Sequence, residues 1–271
     1  WAVIRLGLEG IPPLTGVALR FAIAGAILLA LVRRFGVRFT WSREELGLWA
    51  VNGLFSFTAS YTIVYWAEQH IPSGLAALLF ATYPLFVAVM AHFALPGERL
   101  GWRAAAGILL GFAGVAVIFS DDLQLLGGAN VREVALVMLL SPIVSAVATI
   151  AVKRWGAGIH PLSLTAVPML LTAAVVGTLA LVLEREATLV LDLRSVGSLL
   201  YLAVFGSAVT FTVYYWMLAR ARATQVALIA YTIPIVAVAV GALLFQEPIR
   251  PRVVLGGALV LVGVAVVTRR R

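Results

Sequence analysis

The stretch FSFTASYTIVYW at residues 55–66 recurs as FGSAVTFTVYYW at residues 205–216, an offset of 150. The recurrence continues on the C-terminal side, and after a gap of one residue the offset becomes 149. At least sixteen residues are identical between the two copies, among them Thr82, Pro84 and Glu98, which fall on Thr232, Pro234 and Glu247. So many identities with one gap exceed what composition alone would give, even in a chain rich in Ala, Leu and Val. The chain therefore contains an internal repeat with a period near 150 residues.

The composition of the chain is typical of a membrane protein. Hydrophobic residues make up 62% of the 271 residues, and the mean hydropathy is +1.05, whereas a soluble domain is roughly 45–50% apolar. The net charge of +8 does not indicate nucleic-acid binding, because the arginines lie in short clusters between apolar runs, as membrane topology requires. The chain has no cysteine, which excludes disulfides, and its three histidines are too scattered to predict a metal site.

Apolar runs of about 20 residues, bounded by charge, Gly or Pro, predict membrane-spanning helices. The predicted spans are 12–32, 46–67, 72–95, 104–120, 133–152, 161–183, 196–217, 224–246 and 253–268. Residues 1–8 are predicted to be the end of a further helix, because Arg5 and Pro13 fall on Lys153 and Pro161 at an offset of 148. On that arithmetic we expect the sequence to be trimmed at its N-terminus. The predicted fold is an all-α polytopic membrane protein, a ten-helix bundle with nine complete helices plus the end of the first.

Each half of the chain then holds five helices, with residues 1–120 as the first repeat and 133–271 as the second. An odd number of helices per repeat means that the halves enter the membrane from opposite sides, which is an inverted-topology repeat. Cytoplasmic loops are enriched in Lys and Arg. With both termini cytoplasmic, thirteen basic residues fall inside and five outside. The sequence therefore predicts a multi-pass membrane protein with both termini in the cytoplasm.

A set of motifs resembles the EamA branch of the drug/metabolite transporter superfamily. These motifs are the Arg20–Phe21 pair early in predicted helix 2, the two proline-containing helices, and a glutamate after each of them, Glu98 and Glu247. Each glutamate is followed by a glycine-spaced helix, with Gly107, Gly111 and Gly114 in the first half and Gly256, Gly257 and Gly263 in the second. The resemblance covers the whole chain as two EamA repeats, the first N-terminally truncated. It implies a ten-helix, basket-like bundle of the kind that often exports amino acids or other small metabolites from bacteria.

Two prolines in repeat-related positions indicate where a substrate would bind. Pro84 and Pro234 fall mid-helix, where proline removes a backbone donor and clashes with the carbonyl four residues back. Matching proline-interrupted segments in the two halves of a transporter are expected at its binding site. The predicted substrate-binding residues flank the prolines or approach them from helices 3 and 8, namely Ser60, Thr82, Tyr83, Pro84, Thr210, Tyr231, Thr232 and Pro234. We expect them to line one mostly apolar cavity between the halves.

The same residues also have a purely structural interpretation. The prolines would then be kinks without substrate contact, because proline is common in membrane helices. Thr82 and Thr232 would bond the freed carbonyls, and Ser60 and Thr210 would form interhelical hydrogen bonds worth about 0.6 kcal/mol each. Both interpretations fit the sequence.

Arg20 is a further predicted substrate-binding residue. It lies inside predicted helix 2, where a charge costs about 2.5–3.5 kcal/mol on insertion scales and marks a functional site by default. Arg20 would either meet an anionic group of the substrate or bond backbone carbonyls of a neighbouring helix. No Asp or Glu occupies the middle of a predicted helix, which disfavours exchange of protons for cationic drugs and favours a neutral or zwitterionic cargo.

These features predict a secondary transporter that exports small, amino-acid-like or other neutral or zwitterionic metabolites by alternating access. A proton-coupled multidrug carrier or a nucleotide-sugar carrier of the same superfamily is the alternative within transport. An intramembrane enzyme is less favoured, because no H-E-x-x-H or G-x-S-x-G motif occurs, and a scaffold would not need two matching prolines. We expect a small-molecule substrate and the lipid bilayer as partners, no nucleic acid, no cofactor or metal, and a monomer or homodimer.

Overall fold

The computed structural model describes residues 1–123, 128–236 and 251–268, which fold into helices and contain no β-strand. The helices are α1 (Ala2–Leu8), α2 (Pro13–Arg34), α3 (43–67), α4 (Ser73–Ala94), α5 (Trp102–Ile118), α6 (Asn130–Trp155), α7 (Pro161–Leu183), α8 (Leu193–Arg220), α9 (Ala223–Val236) and α10 (Pro251–Thr268). Six of them are long and apolar enough to cross a membrane by length and composition. The predicted all-α polytopic fold is confirmed.

The surface of the bundle carries large apolar side chains. Phe93 is 82% exposed and Leu181 is 79% exposed, whereas Phe21 and Phe57 are fully buried. Large exposed apolar areas are rare on soluble monomers, but they are the normal lipid-facing surface of a membrane-spanning helix. The chain is therefore a multi-pass integral membrane protein.

Contacts between loops define one end of the bundle, named the basic end after its arginines. It gathers the loops 35–42, 95–101, 156–160 and 221–222. The Glu98 carboxylate accepts a hydrogen bond from the Ala223 N–H at 2.9 Å, which joins the loop after α4 to the start of α9. Arg154, near the end of α6, donates to the Ala94 carbonyl at 2.8 Å. The ends of α4 and α6 and the start of α9 therefore meet at this end.

The opposite end is held by the loop between α7 and α8. The Glu184 carboxylate accepts hydrogen bonds from the Leu14 and Thr15 N–H groups, both at 2.8 Å, and so caps the start of α2. The Val190 N–H donates to the Gly10 carbonyl at 2.8 Å. Unpaired N–H groups and a positive partial charge at a helix start favour an anion there. Each half thus supplies the polar groups that the other half needs.

The inverted repeat is visible in the caps of α3 and α8. The Ser42 hydroxyl accepts from the Glu45 N–H at 3.2 Å at the basic end. Asp192, which falls on Ser42 at an offset of 150, accepts from the Ser195 N–H at 2.7 Å at the opposite end, and this bond lowers the pKa of Asp192. Both helices begin ahead of the predicted residues 46 and 196, because N-cap side chains satisfy the first N–H groups.

Helices α5 and α10 cross through glycines. A Cβ atom built on Gly114 would lie 2.6 Å from the Gly256 carbonyl oxygen, and one on Gly107 would lie 2.8 Å from that of Gly263. Gly107 falls on Gly256 and Gly114 on Gly263 at an offset of 149, so the contact is nearly symmetric. Small residues let membrane helices approach backbone to backbone, and this crossing joins the last helices of the two halves.

Candidate functional site

A row of polar side chains runs down one face of α6. Ser141, Ser145, Thr149 and Lys153 are spaced four residues apart, so they lie above one another on the same side of the helix. The spacing of four was present in the sequence, although none of these four residues was predicted to bind substrate. We name these four residues the α6 stripe. The α6 stripe contacts α3 through its two serines, α4 and α8 through Thr149, and the end of α8 through Lys153.

The upper part of the α6 stripe bonds Ser60 of α3. The Ser60 and Ser141 hydroxyl oxygens are 2.8 Å apart, and the Ser145 hydroxyl donates to the Ser60 hydroxyl at 2.8 Å. Ser141 also donates to the Ser60 backbone carbonyl at 3.2 Å. All three side chains are buried. Ser60 therefore sits in a small cluster of hydroxyls between the two halves of the chain.

The middle of the α6 stripe forms a triangle of hydroxyls. The Thr149 hydroxyl lies 2.7 Å from that of Tyr83 in α4 and 3.1 Å from that of Tyr214 in α8. The Tyr83 and Tyr214 hydroxyls are also hydrogen-bonded to each other. Three helices thus meet at one point through groups that can each donate or accept.

The lower end of the α6 stripe is a cation bonded to the end of α8. The Lys153 ammonium donates to the Leu218 carbonyl at 2.8 Å and to the Ala221 carbonyl at 2.7 Å. Carbonyls at a helix C-terminus lack intrahelical partners and carry partial negative charge, so they favour a cation. At the basic end, α6 and α8 are therefore held together.

The two proline-containing helices are interrupted at different places. Helix α4 breaks at residues 81–82, directly before Pro84 in the first turn of its second segment, whereas α9 breaks at residue 228, well before Pro234. Thr82 donates to the Leu79 carbonyl at 2.7 Å, and Thr232 donates to the Ile229 carbonyl at 2.8 Å. Both hydroxyls therefore bond the backbone of their own helix, three residues back.

Tyr231 and Thr210 lie apart from the hydroxyl clusters. The Tyr231 ring packs against Gly111 of α5, and its hydroxyl donates to the Ile108 carbonyl at 3.1 Å. Thr210 is exposed and donates to the Phe205 carbonyl at 2.6 Å. The structure thus brings Ser60 and Tyr83 onto the α6 stripe, while these two residues do not join it. A single cavity lined by all the predicted residues stays a prediction.

Helices α3 and α8 contain π-helical segments in repeat-related positions. The segments are Asn52–Ala59 and Val204–Val209, and the second falls on residues 54–59 at an offset of 150. π-Helical turns are often found at functional sites. Thr172 of α7 donates to the Gly53 carbonyl at 3.0 Å in the first segment. Helix α2 is the repeat partner of α7, and one of its side chains forms hydrogen bonds with the second segment.

That side chain is Arg20, which is buried against α8. Its Nε donates to the Ser207 hydroxyl at 2.7 Å, its Nη2 to the Gly206 carbonyl at 2.9 Å, and its Nη1 to the Tyr65 hydroxyl at 3.4 Å. The guanidinium carbon lies 4.7 Å from the centre of the Tyr61 ring, a cation–π distance. Arg20 forms no ion pair with any acid in the described part of the chain. It bonds a neighbouring helix, and its contact with substrate stays a prediction.

Glu68 is a buried carboxyl group in the turn between α3 and α4. Its Oε2 accepts from the Ser73 hydroxyl at 3.0 Å, while its Oε1 has no hydrogen-bond partner among the described residues. Burial raises the pKa of Glu68 to about 7, while the Ser73 hydrogen bond and the positive charge of Arg5 act in the opposite direction. Within the described ranges, His, Asp and Glu side chains form no group that could bind a metal ion.

Comparison with known proteins assigns this architecture to a family. The profile of the EamA-like transporter family matches residues 1–120 and 133–269. An uncharacterized transporter of Archaeoglobus fulgidus is 28% identical and covers 100% of this chain and 94% of its own length. A probable terminal-alkyne amino-acid exporter of Streptantibioticus cattleyicolor is 30% identical, over 98% of this chain and 88% of the exporter's own length. A solved crystal structure aligns with a TM-score of 0.82 at 22% identity, over 99% of this chain and 93% of the other. The chain therefore belongs to the EamA-like transporter family.

Proposed function

We propose that the protein is a secondary transporter that exports small neutral or zwitterionic metabolites, with amino-acid-like molecules as the first class to test. The observation that carries the proposal is the α6 stripe, which bonds three other helices through hydroxyls and one ammonium group. Hydroxyls both donate and accept hydrogen bonds, so they suit a polar solute without net charge. The amino-acid exporter among the relatives supports the same class.

Alternating access would proceed by opening and closing the contact between α6 and α8. In the present arrangement Tyr83, Thr149, Tyr214 and Lys153 join α4, α6 and α8 near the basic end. Opening toward that end would exchange these bonds for bonds to water or substrate. Thr82, Pro84, Thr232 and Pro234 would then set where α4 and α9 bend rather than hold the solute.

The test is transport of labelled amino acids by purified protein in proteoliposomes. Thr149→Val keeps the shape of the side chain but removes the hydroxyl that bonds Tyr83 and Tyr214, and transport should fall at least about 5-fold, the equivalent of about 1 kcal/mol. Thr178→Val is the matched control, because Thr178 is exposed on α7 and bonds only the Ala174 carbonyl of its own helix. Equal transport by both variants and the wild type would contradict the proposal.

The basic end is proposed to face the cytoplasm of a bacterial cell with the protein in the plasma membrane. Since the chain has no native cysteine, single cysteines can be introduced without background. Cysteines at Ser42 and Ala221 should react only with reagents supplied from the cytoplasm, and those at Gln69 and Ala187 only with reagents supplied from outside. Labelling of Ser42 and Gln69 positions from the same side would contradict the inverted arrangement.

Proton coupling is a second candidate, and Glu68 is the observation that favours it. Because burial raises its pKa from 4.5 to about 7, the protonated form is favoured in the folded protein. The contribution of protonated Glu68 to the stability of the folded protein is fully present below about pH 4.5, and it is lost as the pH rises through 7. A carrier that uses this proton should show a transition in transport rate near pH 7.

Glu68→Gln should abolish that transition, because the amide does not titrate. Glu186→Gln is the control, since Glu186 lies in the loop before α8 with an exposed side chain. Transport rates of all three proteins are measured between about pH 5.5 and 8.5. A flat wild-type profile, or a transition that persists in Glu68→Gln, would leave facilitated or otherwise coupled export as the mechanism.

A further inference from the structure

A large open groove lies at the basic end, away from the α6 stripe. Its volume is about 1390 Å³, and it runs between the start of α5, the loop that joins α8 to α9, and the end of α10. The side chains that decide its chemistry are Arg99, Trp102, Arg103, Arg220, Arg222 and Val267. Transport as proposed above does not use this groove.

The groove has a concentrated positive charge. Its four arginines are exposed, and none forms an ion pair with an acid in the described ranges. Among the described residues, no Asp or Glu lines it. Glu98 lines an adjoining small pocket, and its carboxylate already accepts hydrogen bonds from the N–H groups of Ala223 and Thr224 at 2.9 and 3.4 Å. The charge of the arginines is therefore left for an external anion.

The groove also has an apolar wall at the depth where the helices end. Val266 and Val267 form this wall in the last turns of α10. Trp102 stands at the start of α5 and is 75% exposed. Tryptophan rings favour the headgroup level of a bilayer, so the groove extends from the headgroup region to the beginning of the acyl chains. A ligand that fills it needs an anionic head and an apolar tail.

We propose that this groove binds one phospholipid with a net negative headgroup, of the phosphatidylglycerol type. Its phosphate contacts Arg99 and Arg222, because the forked N–H groups of a guanidinium match the geometry of a phosphate. One acyl chain lies along Val267. Basic pockets between membrane helices at this level bind anionic headgroups. A zwitterionic lipid carries the same phosphate together with an ammonium group, which the four arginines repel, so the groove selects against it.

The experiment measures binding of a fluorescent phosphatidylglycerol to the purified full chain in detergent, with phosphatidylcholine of the same acyl chains as the comparison lipid. Arg99→Gln combined with Arg222→Gln should weaken phosphatidylglycerol binding at least about 10-fold. Arg33→Gln combined with Arg34→Gln removes the same charge at the same end, outside the groove, and should change binding less than about 2-fold. Trp102→Ala, at an exposed site, should weaken binding without altering net charge.

Several outcomes would overturn the proposal. Equal affinity for the two lipids would exclude headgroup selection, and equal losses in the two double variants would mean that bulk charge alone attracts the lipid. Displacement of phosphatidylglycerol by millimolar inorganic phosphate would identify a site for the free anion instead of a lipid. Elution profiles in size-exclusion chromatography establish that each variant is folded, and if the groove double variant is not, Trp102→Ala decides the outcome alone.

Discussion

Helices α5 and α10 meet backbone to backbone, whereas α6 and α8 meet through hydroxyls and an ammonium group. At the first contact, glycines leave no room for a side chain, and Val260 packs close to Gly114. At the second, Thr149 bonds Tyr214, and Lys153 bonds the end of α8. The first contact joins the two halves of the chain, whereas the second lies within the C-terminal half, and the two are built from different chemistry.

This difference in chemistry makes the α5–α10 contact permanent and makes the hydrogen bonds between α6 and α8 exchangeable. Close packing in a membrane gains dispersion energy that is lost when the helices part, and lipid or water cannot replace it at a glycine contact. Hydrogen bonds between hydroxyls can be replaced by bonds to water or a polar solute at little net cost. We therefore expect α5 and α10 to stay together while α6 and α8 separate during transport.

The largest effect should come from filling the glycine contact. In Gly114→Val the new Cβ would lie 2.6 Å from the Gly256 carbonyl oxygen and 2.8 Å from the Val260 nitrogen. Both neighbours are backbone atoms, so the helices must part, at a cost of about 3 kcal/mol or more. Little monodisperse protein should be recovered after expression and size-exclusion chromatography.

Gly257→Val is the control for that variant, because a Cβ on Gly257 would meet no atom within 4 Å. It lies on the same helix as Gly256 and adds the same side chain. Normal recovery of both valine variants would show that the α5–α10 contact is not tight and is no more permanent than the contact between α6 and α8.

An intermediate effect is expected from Lys153→Met. The variant loses a charged hydrogen-bond donor, a net loss of about 1.5–3 kcal/mol because water at the basic end replaces part of the two bonds, and leaves the Leu218 and Ala221 carbonyls without this partner. The basic end should open more often. A cysteine at Val152, which is buried, should then react at least about 10-fold faster with a water-soluble maleimide.

Arg154→Met provides the matched control, since Arg154 is the next residue and bonds only the Ala94 carbonyl at an exposed site. It should leave the labelling rate of the Val152 cysteine within about 2-fold of the parent. If Arg154→Met accelerates labelling as much as Lys153→Met, the bond between α6 and α8 does not close this end.

The smallest effect is expected from Tyr214→Phe. The ring stays, and only the hydroxyl that bonds Tyr83 and Thr149 is removed. The loss of these hydrogen bonds weakens the contact between α4, α6 and α8 by about 1 kcal/mol. Transport should fall about 5-fold with little change in thermal stability. Tyr201→Phe on the same helix is the control, because Tyr201 is 53% exposed, and a similar fall in that variant would contradict a specific role for the Tyr214 hydroxyl.

The sequence predicted the repeat and the helical fold, because these features keep identical residues in both halves, whereas α4 and α9 break at places that do not match. Thr82 and Thr232 are such a pair, and both bond the carbonyl three residues back. Identical residues of this kind maintain the architecture that the two halves share. Residues that are identical in the two halves are therefore mainly residues that support the backbone, and a prediction based on identity selects them ahead of substrate-binding residues.

Of the hydroxyl triangle, only Tyr83 was predicted to bind substrate, because it lies beside Pro84; the members of the triangle have no identical partners in the other half. Tyr83 falls on Ile233 and Tyr214 on Val64 at an offset of 150. Helices α6 and α8 are not repeat partners of each other, so the two sides of their contact need different residues. The spacing of four along α6 was readable from the sequence, but which helices it faces depends on packing between the halves.

The bond from Arg20 to Ser207 spans 187 residues of sequence, and this distance has a consequence for biosynthesis. A ribosome delivers α2 to the membrane long before it has made α8. During that interval the guanidinium lacks its acceptors on α8, and the segment carries the insertion penalty of about 2.5–3.5 kcal/mol that an unpaired arginine imposes. A nascent chain that stops before residue 193 lacks these acceptors, so we expect its α2 to be less stably inserted than in the full chain.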